Sequence, residues 1–96
     1  MNPEKIMVER LQEMVDKTKE ECGINCTGFM QLVGKYGWLG TVKYLLDKSR
    51  PSQGLLTMLD PKVNRPDLTV EKIIQDPIFS GLFTKKQLAV AKSRVP

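Results

Sequence analysis

Two cysteines are the residues of this chain whose spacing most directly suggests chemistry. Cys22 and Cys26 lie four residues apart, which would place both thiols on one face of a helix. A tetrahedral zinc site needs four ligands, and the chain has no histidine and no third cysteine. We therefore interpret the cysteines as reduced, free thiols and expect no metal and no cofactor. The alternative is a zinc or disulfide link between two copies of the chain.

The absence of histidine also bears on catalysis. No imidazole is present to serve as a general base near neutral pH, and no glycine-rich phosphate-binding loop occurs. A pair of carboxylates would be the remaining acid–base chemistry. The candidate acids each have a nearer role as a turn former or at a helix start: Asp60, Asp67, Glu71 and Asp76. The sequence therefore predicts that the protein is not an enzyme.

The segment Asp67-Leu68-Thr69-Val70-Glu71 allows two interpretations. Thr69 can cap a helix whose first turn contains Glu71, near the positive end of the helix dipole. The functional alternative is that Asp67 and Glu71, together with Arg65, bind a basic partner. The sequence does not decide between them.

The basic residues are distributed unevenly. The chain carries a formal charge of +4, of which residues 1–21 contribute −2 and the remaining 75 residues +6. Four of the bases lie in the last helix: Lys85, Lys86, Lys92 and Arg94. A solvated helix face is the ordinary interpretation of such a group. The functional alternative is a nucleic-acid surface, although the net charge is modest for that role.

The first element that must position these groups is an amphipathic helix over residues 1–22. Asn2 followed by Pro3 is typical of a helix start, and Gly23 of a helix end. Met7, Leu11 and Met14 recur at spacings of four and three, which defines one apolar stripe. Because methionine suits adaptable protein contacts, the stripe is a candidate surface for a partner or a second copy. It could equally face the core.

The remaining elements follow from caps and breakers. Asn25 is predicted to cap a second helix that ends at Gly37, and a third helix ends before Arg50-Pro51. Trp38, just past the corner between these helices, is a candidate binding anchor. Residues 55–59 form a short helix, residues 77–83 should fold back onto the core, and Thr84 to Gln87 predicts a capping box before the last helix.

These elements predict an all-α fold, a compact bundle of four to five short helices with proline-punctuated loops, in one domain over residues 1–96. No apolar run approaches the ~20 residues needed to span a bilayer. Residues 1–5 lack the features of a secretory signal. We therefore expect a cytoplasmic protein with no membrane association.

The stretch from Phe29 to Val95 resembles a family of small uncharacterised bacterial proteins. The resemblance is carried by Phe-Met-Gln-Leu-Val-x-x-Tyr-Gly over residues 29–37, by Asp67-Leu68-Thr69-Val70-Glu71, and by Leu82-Phe83-Thr84. Within the region 25–96, the chain has Trp38 where members often have a second glycine. The resemblance implies a bacterial source. It implies no activity, because the family has none assigned.

Taken together, the residues predict a non-catalytic module that binds another protein or a second copy of itself. The candidate partner-binding residues are Met7, Leu11, Met14, Trp38, Arg65, Asp67 and Glu71. The alternative is a nucleic-acid-binding module that uses Lys85, Lys86, Lys92 and Arg94, with weak affinity.

Overall fold

All regular structure in the computed structural model, which describes residues 2–96, is helical. Five α-helices follow in chain order: α1 Pro3–Cys22, α2 Thr27–Asp47, α3 Gln53–Leu59, α4 Val70–Ile73 and α5 Lys85–Arg94. Two 3-10 helices, Pro66–Leu68 and Pro77–Leu82, flank α4. No strand occurs in the described residues, so the prediction of an all-α fold is confirmed. Within the same range, no helix is both long enough and apolar enough to cross a membrane.

Helix α1 has the predicted ends, and its apolar stripe belongs to the core. The Asn2 side chain accepts from the backbone N–H groups of the first turn, and Gly23 ends the helix with φ of 67°. Met7, Leu11 and Met14 are buried in the same cluster as residues from every other part of the chain. Of the two interpretations of this stripe, a partner surface or a core face, the structure therefore favours the core face. Met7 and Leu11 would have to leave the core to reach a partner.

Helix α2 is broken at Gly37, where the sequence predicts a helix end. Gly37 has φ of 78° and ψ of 174°, a conformation that is essentially restricted to glycine. The rings of Tyr36 and Tyr44 stack with centroids 4.9 Å apart. Eight residues of straight helix rise about 12 Å, so the two segments must converge at the break. Gly40 allows this approach, since a Cβ there would lie 3.2 Å from the Tyr36 Cβ.

The beginning of α2 differs from the prediction. The residue at the N-cap is Cys26, and no side-chain hydrogen bond caps the helix. Asn25 lies one residue too early for its side chain to take that role. No residue of α2 before Thr41 is buried, whereas Thr41, Val42 and Leu46 are. We call residues 27–36 the α2 arm and residues 38–47 the α2 stem.

Local caps in the second half of the chain agree with the sequence patterns. Ser52 caps α3, and Thr69 caps α4 by accepting from the Lys72 N–H. Thr84 and Gln87 form the predicted capping box before α5, with both hydrogen bonds at 3.0 Å. Between these helices, Phe79 is fully buried, which confirms that residues 77–83 fold back onto the core.

Two long-range contacts fix the end of α2 against α5. The Arg94 guanidinium donates to the backbone carbonyl of Leu45 at 3.0 Å and to that of Lys48. The Gln87 side-chain amide donates to Asp47 at 3.1 Å. The Arg94 bonds satisfy backbone carbonyls at the C-terminal end of the helix, which lack intrahelical partners, and the Gln87 bond holds the side chain of the last helical residue. The α2 stem is therefore attached at its far end, and the α2 arm has no equivalent attachment.

Candidate binding groove

A groove of about 540 Å³ lies between the C-terminal half of α1, the α2 arm, α3 and the segment that leads into α4. This volume falls within the range of about 300–1,000 Å³ that is typical of ligand sites. Its exposed surface is mostly apolar, and the apolar side chains in its wall include Met14, Ile24, Phe29, Leu32, Leu45, Leu55, Met58, Leu68 and Val70. We call this site the groove.

The groove exists because the α2 arm covers the core incompletely. Phe29 and Leu32 line the groove and are only half-buried. Met30, on the same segment, has 39% of its surface exposed. Gly28 contributes no side chain at the wall, and a Cβ there would meet no atom within 4 Å. Small residues and a loosely packed segment therefore leave apolar surface open on one side of the domain.

Glu71 is the only acidic residue in the wall of the groove. Only 3% of the Glu71 surface is exposed, and its Oε2 atom has no hydrogen-bond partner. Burial raises the pKa of this carboxyl group, although its own backbone N–H and the charge of Arg94 oppose the shift. A buried carboxyl oxygen without a partner is unusual in a folded protein. Glu71 is therefore the polar group of the groove that most needs an explanation.

Arg65 and Asp67, which the sequence groups with Glu71, form a separate cluster. The Arg65 guanidinium donates to both oxygens of Asp67, at 3.1 and 3.0 Å, and to Glu21 at 2.8 Å. These partners raise the pKa of Arg65 further and lower that of Asp67. The cluster joins the end of α1 to the first 3-10 helix. The predicted three-residue site is therefore corrected: Arg65 and Asp67 are paired with each other outside the groove, whereas Glu71 lies in its wall.

The two cysteines lie at the end of α1 and at the start of α2. Both Cys22 and Cys26 are free and half-buried. No group of three or more potential metal ligands occurs in residues 2–96. Cys26 lines the groove, and burial raises the pKa of its thiol while a hydrogen bond with Thr18 opposes that shift. A raised pKa favours the protonated thiol, which is the less reactive form.

A second depression adjoins the groove and has a basic end. It shares Leu32 and Leu45 with the groove and continues past Tyr44 to Lys48 and Arg50. The Lys48 ammonium lies 4.7 Å from the centre of the Tyr44 ring, within cation–π range. One end of the combined surface is thus apolar with a single buried acid, and the other end carries positive charge.

Of the other predicted binding residues, Met14 lines the groove and the rest lie outside it. Trp38 is half-buried and packs against Phe29, with ring centroids 6.0 Å apart, so it supports the corner at Gly37. Lys85, Lys86 and Lys92 are exposed on α5. Arg94 is half-buried, and its guanidinium donates to the end of α2.

Comparisons with protein-family models, with curated proteins and with solved structures find no match to this chain. The resemblance carried by residues 29–37, 67–71 and 82–84 therefore stays a prediction. The functional interpretation depends on the groove itself.

The groove could not be found from the sequence, for a physical reason. Periodicity identifies the apolar face of the α2 arm, but the pattern is the same whether the face is covered or open. For Leu55 and Met58 the sequence predicts only a short helix, without a role for either side chain. Gly28 provides a signal in retrospect, since a glycine within an apolar helix face often marks a gap or a close approach.

Proposed function

We propose that this protein is a non-catalytic binding module that holds an apolar segment of a partner protein in the groove. The observation that carries the proposal is an open, largely apolar groove of about 540 Å³ in a chain of only 96 residues. A domain of this size has little apolar surface to spare, because most of it is needed for the core. Leaving this much uncovered favours a role in binding.

The shape of the groove suits a helical or extended segment of a partner. Two of its walls are helical surfaces, the α2 arm and α3, and an amphipathic helix commonly binds in such a groove through a few apolar anchors. The partially exposed arm can adjust its packing without disturbing the buried stem. The proposal thus keeps the predicted function, a protein-interaction module, and centres its site on the α2 arm and α3, with the C-terminal half of α1 in the wall.

Selection of peptides tests this proposal. Amphipathic peptides selected against the wild-type protein are compared on two variants of the α2 arm, Gly28→Phe and Gly34→Phe. A Cβ at either glycine would meet no atom within 4 Å and neither has a positive φ, but only Gly28 lines the groove. We expect Gly28→Phe to weaken binding about tenfold or more, equivalent to about 1.4 kcal/mol. Gly34→Phe should leave it unchanged.

Equal affinity of the selected peptides for both variants would place binding elsewhere, and failure to select any peptide would count against the groove as a docking site. Sedimentation of the wild-type protein, without peptide, tests the case in which the partner is a second copy. A dimer that Gly28→Phe dissociates and Gly34→Phe does not would identify the copy as the occupant.

Nucleic-acid binding is the second candidate, because Lys85, Lys86 and Lys92 form no ion pair within residues 2–96 and are exposed. Three lysines on one helix would give weak, sequence-independent binding that falls steeply with salt. Fluorescence anisotropy with DNA and RNA at about 50 and 200 mM salt measures this dependence. Tight or sequence-selective binding at the higher salt that is lost in a Lys85→Ala/Lys86→Ala double variant would favour this function over the groove.

A further inference from the structure

We propose that Glu71 is the polar recognition group of the groove and that the bound segment presents a lysine ammonium to its carboxylate. This inference rests on the proposed function and adds the chemistry of the occupant. Its basis is the juxtaposition of an open apolar groove with a wall residue whose carboxyl oxygen Oε2 is buried and has no partner.

The residues around Glu71 do not supply the missing donor. Arg94, the cation whose charge acts on Glu71, donates to the carbonyls of Leu45 and Lys48. The Lys72 ammonium donates to the carbonyl of Pro96 at 3.3 Å. The Gln75 side-chain amide donates to Glu71, but to its backbone carbonyl, at 3.0 Å. Among the described residues, none donates to Oε2, so a donor from a bound segment would complete the hydrogen bonding of this carboxyl group.

The chemistry of the site selects the kind of donor. A purely apolar occupant would cover the groove and leave the carboxyl oxygen buried without a hydrogen bond, which is unfavourable. An anionic occupant would be repelled by an ionised Glu71. A lysine combines a compact ammonium with a four-carbon stem that can pack along apolar walls, so one side chain matches both features of the groove. Ion pairing would also favour the ionised carboxylate, against the effect of burial.

Three probes with the same eight-carbon chain test this chemistry: n-octylamine, 1-octanol and octanoate. Their affinities are measured by calorimetry and by amide chemical shifts for the wild-type protein and for Glu71→Gln, which keeps the side-chain shape. The matched control is Glu9→Gln, since Glu9 is an exposed acid on α1 that does not line the groove. We expect the wild type and Glu9→Gln to prefer the amine over the alcohol by about tenfold, with octanoate weakest. Glu71→Gln should lose the preference.

Equal binding of amine and alcohol to the wild type would overturn the role of Glu71 while leaving an apolar groove that binds. Absence of binding by all three probes would count against the groove and this inference together. Even if Glu71→Gln does not fold, the comparison of the three probes on the wild-type protein shows whether the groove prefers an ammonium group.

A pair of peptides tests whether the occupant of the groove is a protein segment that carries a lysine. A helical leucine–alanine peptide with one central lysine is compared with the same peptide carrying norleucine at that position. We expect the lysine peptide to bind the wild-type protein about tenfold more tightly, and the difference to disappear in Glu71→Gln. Equal affinities of the two peptides, or binding of octylamine with no binding of either peptide, would overturn the assignment to a partner lysine.

Discussion

Replacing Gly37 by alanine tests the backbone conformation at the corner in α2. At φ of 78° and ψ of 174°, Gly37 occupies a region that L-residues essentially avoid. Holding alanine there costs about 1–3 kcal/mol. Within a helix, alanine is more stable than glycine by about 0.5–1 kcal/mol, but this benefit applies only if residue 37 has helical dihedrals. In the broken helix, the variant should therefore lose stability.

Gly34→Ala is the matched control, three residues earlier in the same helix. Gly34 has no positive φ, and a Cβ there would contact nothing within 4 Å. This substitution should increase the free energy of unfolding by about 0.5–1 kcal/mol. The two glycine-to-alanine changes thus have opposite expected signs, although they are identical in composition and both lie in α2.

Thermal unfolding followed by circular dichroism provides the measurement. For a domain of this size, 1 kcal/mol shifts Tm by roughly 4–8 °C, so Gly37→Ala should melt at least about 4 °C below the wild type. Gly34→Ala should melt above it. If Gly37→Ala melted at a higher temperature than the wild type, α2 would be a continuous helix, and the stacking of Tyr36 on Tyr44 and the position of the α2 arm would both be wrong.

Three other predictions concern buried polar groups and caps. Thr41→Val should stabilise the protein by about 1 kcal/mol because the buried Thr41 hydroxyl has no partner, whereas Thr18→Val should destabilise it by a similar amount because the Thr18 hydroxyl donates to a backbone carbonyl at 2.7 Å. Urea denaturation measures the free energy of unfolding of both variants, and changes of the same sign would contradict the prediction. Burial raises the pKa of Glu71 above 4.5, so the folded state holds this proton more tightly than the unfolded state, and the wild type should lose stability as pH rises from about 4.5 through the folded pKa. The stability of Glu71→Gln relative to the wild type should therefore be greater at about pH 7 than at about pH 4. A stability difference that is independent of pH would show that Glu71 is solvated. Thr84→Ala should lower the free energy of unfolding by about 1 kcal/mol through loss of the cap. Gln87→Ala should lower it by at least as much because the Gln87 side chain is buried and has partners on both its oxygen and its nitrogen. A wild-type melting curve for either variant would show that α5 starts elsewhere.

Local signals in the sequence were sufficient for most of the fold. The start of α1 at Asn2 and Pro3, the break at Gly37 and the capping box at Thr84 each depend on residues within one turn of the feature. Such features follow from backbone dihedrals and nearby hydrogen bonds, so they can be predicted without knowing the tertiary structure. Asn25 is the exception, because Cys26, whose side chain makes no capping hydrogen bond, occupies the N-cap position of α2 instead.

The candidate site could not be predicted in the same way. Whether Met7 faces the core or a partner depends on what packs against α1, and the spacing of its stripe is the same in both cases. Glu71 shows the same limit, since its position in the first turn of α4 was predicted but its burial depends on the elements that pack against α4, which include α1 and α5. Its unpaired oxygen arises from packing between distant segments, which a single sequence does not reveal.

The unequal attachment of the two halves of α2 determines where the native protein opens first. The stem has buried side chains and is bonded to α5 through Arg94 and Gln87, whereas the arm has no buried residue and joins the stem at a single glycine. Segments with few buried contacts open at a small fraction of the global unfolding free energy. Amide hydrogens of residues 27–36 should therefore exchange with solvent well before those of residues 41–46. An occupant of the groove would slow this exchange most in the arm, so the region that is least stable alone is the one that reports binding.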